Sequence, residues 1–515
     1  MSIYTGSDIT GDLQLSCDVC VVGSGAGGAH VAERLATAGK KVIVLEEGGY
    51  HTSDEFNLNE ADMLPMLYQD RANRGTMDLS IVIAQGKAVG GTTVVNWTTS
   101  FRTPPHVLEY WAEHHGVEGI TVDALNPHWD RVEARLNISE VPRENVNRNN
   151  QVLWRGAEKL GWEPYLLKRN VKGCAHLGYC GMGCAIDAKQ SMLITLIPDA
   201  VRAGADLFAN CWVERIEASG RKVNKVVGRV QDPKTGKPTG HTITVESKLV
   251  VLSGGGINNP ALLLRSKLGN SSGRVGKRTF LHPAKGMSGF FAERIEGFYG
   301  SPQSVAVHKF AQREGKMGFF IEVAPTHPMF TGNFAPGIGK TLRDPMDRHA
   351  YRNIVGAILI DGFDPADFDE GGTVGIRENG RPKVDYKWTP RLVEALKEGC
   401  KRSAEIQFAA GAQEVHSFHF AEPVVMKSVD ELKKLDEAPW GPNHQLVFSA
   451  HVMGGCCMGK DPQKSVVDSK LKHHEFDNLF VVDGSVFPTS LGVNPQLSIY
   501  GLSSWASEHV KAAAG

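Results

Sequence analysis

The chain has 515 residues, enough for two or three structural units rather than one small core. Apolar residues make up 41% and charged residues 22%, and 56 basic residues against 57 acidic ones leave a net charge of -1, which excludes an electrostatic nucleic-acid binder. No apolar run reaches the ~18 residues that span a bilayer, and the opening MSIYTGSDITGDLQLS has neither the basic start nor the apolar core of a secretory signal, so a cytoplasmic location is expected.

The first informative stretch runs from Cys20 to Gly49. Val19 to Val22 reads as a short buried strand, Gly23-Ser24-Gly25-Ala26-Gly27-Gly28 as a tight turn, and Ala29 to about Ala38 as a helix that Gly39 ends. Lys41 to Leu45 is a second strand with Glu46 at its end. Strand, glycine turn, helix, strand and acid together form a dinucleotide site. Gly23 permits the turn, Gly25 lets the backbone approach a pyrophosphate, and Gly28 lets helix and strand pack. The helix start offers N–H groups to phosphate, and Glu46 can accept from a ribose. Cys17 and Cys20 share the first strand, where residues three apart face opposite ways, so a redox pair is not expected.

Tyr50 to Leu79 is polar and broken. Gln85 to Asn96, QGKAVGGTTVVN, reads as a loop that lies flat against a planar ligand through Gly90, Gly91 and Thr92. Short helices are expected over 107–114, 127–136 and 151–160. Cys174, Cys180 and Cys184 then sit at C-x5-C-x3-C spacing in a glycine-rich loop. Three thiolates can hold a three-iron cluster, or a zinc ion with His176 as fourth ligand; the alternative is three thiols crowded into one loop. A helix over 193–203, a strand over 209–216 and a hairpin over 222–230 and 241–251 follow. The strand ending Val250-Val251-Leu252 enters Ser253-Gly254-Gly255-Gly256 and a second helix, over 261–268.

From about Lys285 to Pro442 short alternating runs at 317–324, 353–360 and 373–377 predict an antiparallel sheet, and 391–409 predicts a helix. His451 heads a turn-rich segment, HVMGGCCMG. Leu479 to Gly484 reads as a strand ending in Asp483, placed to hold a sugar hydroxyl. Asn494-Pro495-Gln496 opens a helix whose partial positive charge favours an anionic ring. Asn494 also suits a helix cap.

In this order the motifs resemble the glucose–methanol–choline (GMC) oxidoreductases, FAD-dependent alcohol oxidases and dehydrogenases, from residue 18 onward. VVGSGAGG with Glu46, GKAVGGTTVVN, SGGGINNPALLL, FLHP at 280–283, HVMGGCCMG and VVDGSVFPTSLGVNPQ carry the likeness. The resemblance implies an α/β fold, with a Rossmann-like FAD domain from 1–100, 190–284 and 443–515. A substrate domain would come from 101–189 and 285–442. It implies FAD held by Gly23, Gly25, Ala26, Gly28, Glu46, Gly90, Gly91, Thr92, Asn96, Val213, Gly254, Asp483, Gly484, Asn494, Pro495 and Gln496. Some members attach FAD through a histidine where this chain has Val95, so non-covalent FAD is expected. His451 would be the base and Asn494 the second active-site residue. Gly455 replaces the usual threonine. The cysteine triad is absent from most members. It is similar to segments in sugar dehydrogenases with a three-iron cluster and in long-chain fatty alcohol oxidases, and the residues Asp187, Lys189 and Gln190 look more like the latter.

The expected activity is transfer of hydride from an alcohol to flavin, with electrons passed on to a partner protein or quinone. The alternatives are an oxidase that reduces O2 with structural cysteines, and a GMC-fold lyase or non-catalytic flavoprotein. A nicotinamide dehydrogenase is disfavoured, because the loop at 86–96 has no role there.

Overall fold

Leu13–Val22 (β1) carries neither glycine nor proline, and its second half is buried in the middle of a mainly parallel sheet. The structure, a computed structural model, describes residues 2–335 and 337–515. β1 runs parallel to Val42–Leu45 (β2), which runs parallel to Asp206–Phe208 (β3); Ile3–Tyr4 extends that edge. Cys211–Ser219 (β4) and Lys222–Gln231 (β5) form an antiparallel ribbon with the first half of Pro238–Leu252 (β6).

β6 is the long strand that joins the two parts. One edge pairs with β1, residues 243–252 against 13–22. On the other edge its first half meets β5 and its last residues, Val250 to Leu252, meet Leu479 to Val481. The Asn478 side chain fills the fork, accepting from Val223 N–H and donating to the Val223 and Lys248 carbonyls. Helix α1 (Ala26–Thr37) follows β1, and helix α3 (Gly255–Ser266) follows β6; between them in sequence lies α2 (Glu60–Leu67). The α2 helix falls in the stretch that reads as broken, because the Asn59 side chain caps it at Ala61 N–H.

Cys17 and Cys20 were expected to be buried residues rather than a redox pair, and both are buried and unbridged. Asp18 and Val19 both donate to the Lys41 carbonyl, at 3.0 and 3.2 Å. The Cys17 thiol donates to Ser247 Oγ at 3.5 Å, and burial helps push the Cys20 thiol up.

The region expected to form an antiparallel sheet does so. Thr279–Phe280 (β7) leads into Ala284–Phe290 (β8), the centre of a sheet ordered Phe319–Val323 (β9), Arg352–Leu359 (β10), β8, Glu414–Ser417 (β13). Val447–Ser449 (β14) pairs with the start of β8 at Ala284↔Phe448. Gly372–Ile376 (β11) and Pro382–Tyr386 (β12) form a hairpin that joins β7 and Met453–Gly454 (β15) in a separate four-stranded sheet. Helix α5 (Pro390–Ala409) packs behind β8 and β10, close enough that a Cβ on Gly399 would meet Ala357 at 2.4 Å. Thr389 caps it by accepting from Leu392 N–H.

Expected helices over 107–114 and 151–160 appear as Pro105–His115 and Arg148–Lys159, while that at 127–136 starts earlier, at Val122, where Thr121 caps Ala124 N–H. The short helix Pro328–Phe334 (α4) was not expected. Gln496–Ala513 (α6) begins after Asn494, and Pro495 takes the cap position. Among the described residues no helix is long and apolar enough to cross a membrane.

Candidate active site

One cavity of about 380 Å3 runs along the C-terminal ends of β1, β2 and β6 and continues over the face of the antiparallel sheet. Its first end is the glycine turn. Gly25 is the cap of α1 and gives no side-chain hydrogen bond, and the first turn holds no acid, so the N–H groups there are left for a ligand. Gly28 lies behind the wall: a Cβ there would meet the Gly23 carbonyl at 1.9 Å. Glu46 accepts from Ser24 N–H (2.9 Å), Ser24 Oγ (2.7 Å) and Gly48 N–H (2.8 Å). Burial raises its carboxyl against the pull of those bonds. Ser24 Oγ also accepts from Gly90 N–H at 3.0 Å, and Gly90 takes φ +94°, a conformation few residues but glycine adopt.

The hairpin β11–β12 closes this end. Arg381 donates to Glu47 at 2.7 Å, and Arg265 donates to the Gly380 and Val213 carbonyls, both at 2.9 Å. Their guanidiniums flank the Trp212 ring at 4.4 and 4.6 Å. Burial alone would raise the Glu47 carboxyl, but Lys87 and Arg381 hold it down to about 2.

Asp483 is already engaged by the protein. It accepts from Gly255 N–H (2.7 Å), Asn259 Nδ2 (2.9 Å) and Ser485 N–H (2.8 Å) while still lining the cavity. Asn96 donates to Gln496 Oε1, and Gln496 Nε2 donates to the Thr99 carbonyl at 2.8 Å, so the loop at 90–96 and the start of α6 are tied together. The start of α6 also lacks a side-chain cap and faces the cavity. Of the sequence-derived set, all but Gly28 and Gly90 line the cavity: Gly23, Gly25, Ala26, Glu46, Gly91, Thr92, Asn96, Val213, Gly254, Asp483, Gly484, Asn494, Pro495, Gln496 and His451. Uncapped helix starts at two points of one cleft fit an elongated ligand with a diphosphate and an electron-rich ring.

His451 and Asn494 meet beyond α6. His451 Nε2 is 3.4 Å from Asn494 Nδ2, and its Nδ1 is 3.2 Å from His282 Nδ1. Burial lowers His451 to about 4, so it is neutral near pH 7. One proton lies between the two facing Nδ1 atoms. With it on His451, Nε2 presents a lone pair to the cavity; Gly492 N–H, donating to His282 Nε2 at 3.3 Å, favours it on His282. His282 is held at φ +46°, with its own N–H and that of Leu281 bonded to the buried Asp361 carboxylate.

Glu322 on β9 was missed from sequence. It is 2% exposed, accepts from Asn494 Nδ2 (3.1 Å) and Gln303 Nε2 (2.7 Å), and leaves Oε1 without a partner. Burial without a counter-charge pushes its carboxyl up to about 8, against those two hydrogen bonds. A charged residue in the otherwise apolar run FFIEV was the available signal. Between the ordinary value of 4.5 and about 8 the folded chain holds a proton that the unfolded chain has lost. Stability contributed by this group is therefore complete at low pH and is lost as pH rises through that window. Glu322→Gln is expected to melt progressively higher than the native chain as pH goes from 5 to 8; a difference that stays constant counts against a neutral Glu322.

The metal expectation is not met. Among the described residues no three His, Cys, Asp or Glu side chains are grouped to hold a metal ion. Cys180 accepts from Arg169 Nη2 at 3.4 Å, Cys184 accepts from Lys189 N–H at 3.4 Å, and His176 Nδ1 is 3.5 Å from Ser301 Oγ instead. Cys174, Cys180 and Cys184 are free thiols. Lys189 Nζ donates to the Cys180 carbonyl (2.7 Å) and the Asn96 carbonyl (3.1 Å), so the cysteine loop braces the loop at 90–96.

Models of the GMC oxidoreductase family match residues 32–284 and 369–503. An uncharacterized GMC-type oxidoreductase of Mycobacterium tuberculosis is 34% identical over 94% of this chain and 74% of its own length. The long-chain-alcohol oxidase FAO4B of Arabidopsis thaliana is 30% identical over 94% of this chain and 66% of its own. Among solved structures, pyridoxine 4-oxidase from Mesorbium loti superposes with a TM-score of 0.68 at 17% identity, covering 96% of this chain and 99% of that one. A formate oxidase variant from Aspergillus oryzae gives 0.70 at 16%, covering 98% and 99%. These two share the fold, and with the sequence matches they show that the chain belongs to the GMC oxidoreductase family.

Proposed function

We propose that this protein oxidises a primary alcohol with non-covalently bound FAD, using His451 as base and Asn494 to hold the substrate oxygen. The observation that carries the proposal is the single cavity shared by the glycine turn and the His451–Asn494 pair. Bound FAD supplies the hydride acceptor. Gly25, Ala26 and Glu46 would hold its adenosine diphosphate, Val213 with Trp212 its adenine, and Gly91, Thr92, Asn96 and the start of α6 its ring. Val95, which cannot form a covalent link, lines the same wall.

His451 takes the hydroxyl proton at Nε2 when the proton shared with His282 lies on His451 Nδ1. Asn494, fixed by Glu322, orients the oxygen. The alcohol end is lined by Val323, Ala324, Phe330, Ile354, Phe418 and Phe448, which suits an apolar chain and agrees with the name of the alcohol-oxidase relative. Segments 101–189 and 285–442 would form this end as a substrate domain. The relatives with named activities are oxidases, which favours O2 as acceptor over an electron-transfer partner or quinone.

The test is anaerobic mixing of the FAD-loaded protein with straight-chain alcohols, followed by air. Bleaching of the flavin and stoichiometric peroxide on reoxidation are expected. No bleaching by any alcohol would leave a lyase or a scaffold flavoprotein.

A further inference from the structure

The antiparallel sheet presents one face to the cavity, and its rows can be read from the strand register. Glu322, Gly356 and Gly286 lie side by side on β9, β10 and β8. The next row on that face is Ile354, Ser288 and His416, and the row after it is Arg352, Phe290 and Glu414. Gly286, Gly356 and Ile354 line the cavity, so the face continues from the alcohol end toward Arg352.

Arg352 is 1% exposed, and among the described residues no carboxylate pairs with it. Its Nε and Nη1 have no hydrogen-bond partner. The nearest acid on the row, Glu414, is committed to Arg348 and to His416 at 3.3 Å. The guanidinium lies 5.1 Å from the Phe290 ring and 5.7 Å from the ring of cavity-lining Phe418. Burial and the like charge of Arg348 lower its pKa to about 10, so it stays a cation. An unpaired buried cation is costly to fold around. Two further buried groups lack partners: Ser288 Oγ in the intervening row, and Thr331 Oγ1, whose residue lines the same cavity from α4. The Glu60 carboxylate fixes α4 in place, accepting from Met329 and Phe330 N–H at 2.7 Å each.

We propose that Arg352, with Ser288 and Thr331, receives a carboxylate at the far end of the substrate cavity, so that the preferred substrate is an alcohol whose apolar chain ends in a carboxylate. This rests on the reading of His451 and Asn494 as the alcohol site. Four residues of strand separate the Gly356 row from Arg352, a span of roughly 13 Å. The chain between the two ends would lie on Gly286, Gly356 and Ile354, where glycine lowers the floor to backbone.

The test compares the FAD-loaded native protein with Arg352→Met and Arg352→Lys. Anaerobic flavin reduction is followed with an ω-hydroxy fatty acid and with the n-alcohol of equal length. The native protein is expected to favour the hydroxy acid about tenfold or more in kcat/KM. Arg352→Met is expected to lose that preference while reacting with the n-alcohol as before, and Arg352→Lys to keep part of it. Arg352→Met should also melt no lower than the native protein, because it removes an unpaired charge. Equal losses on both substrates, or a lowered melting temperature, would make the arginine structural and overturn the proposal. Titration of the unreactive fatty acid, read from the flavin spectrum, needs no turnover. At least tenfold weaker binding by Arg352→Met supports the carboxylate site even if no alcohol is oxidised; unchanged binding rejects it.

Discussion

His451→Ala is expected to slow bleaching of the flavin by an alcohol about 10³-fold and to leave FAD bound at the native ratio. The magnitude is that of removing one general base. Among the described residues only His282 and Asn494 reach its nitrogens, at 3.2 and 3.4 Å, so truncation removes the proposed acceptor of the hydroxyl proton. The glycines and Glu46 proposed to hold FAD lie at the other end of the cavity, which is why flavin content should not change. Stopped-flow absorbance under anaerobic conditions gives the rate, and the protein-to-flavin absorbance ratio gives the occupancy. A variant that bleaches at the native rate would remove His451 from the chemistry and turn attention to Glu322.

Gly27→Ala is expected to produce the second-largest effect, on the fold and on FAD together. A Cβ at Gly27 would stand 1.8 Å from the Val482 carbonyl oxygen and 2.9 Å from the Asp483 Cβ. Neither is a flexible side-chain end, so α1 and the segment after Leu479–Val481 must part. Overpacking of this kind costs about 1–3 kcal/mol, and it displaces the helix start that would meet the diphosphate. Urea midpoints and FAD affinity by fluorescence should both fall. Native values for both would show that α1 does not seat against that segment.

The nucleotide half was legible because its signals are local. Gly23 to Glu46 packs strand, turn, helix and acid into one short stretch, and the physics of each step acts on neighbours in sequence. His451 and Asn494 were legible only through motif order, since nothing local says that they meet. His282 was seen as part of FLHP, yet its contact with His451 depends on a backbone held at positive φ by Asp361, a residue far along the chain. Glu322 and Arg352 went unread for the same reason: only the pairing of three strands far apart in sequence puts them on one face of the sheet. The cysteine spacing was misleading in the other direction. It is compact enough for a shared metal, but among the described residues no three ligating side chains are grouped, and Cys180 and Cys184 accept from Arg169 Nη2 and Lys189 N–H instead.

The divided edge of β6 has a consequence for how the molecule is made. When a ribosome has delivered β1, β2 and β6, the stretch Val250–Leu252 still lacks the neighbour that will cover it, because Leu479–Val481 has yet to be translated. The nascent chain therefore carries an open, apolar strand margin throughout synthesis of the whole antiparallel region, the kind of margin that recruits foreign strands. Asn478 closes the gap only when its three hydrogen bonds form. Commitment to the native sheet is in that sense a late event, and growth at lower temperature or with added holding chaperones should raise the soluble yield more than any change to the glycine turn.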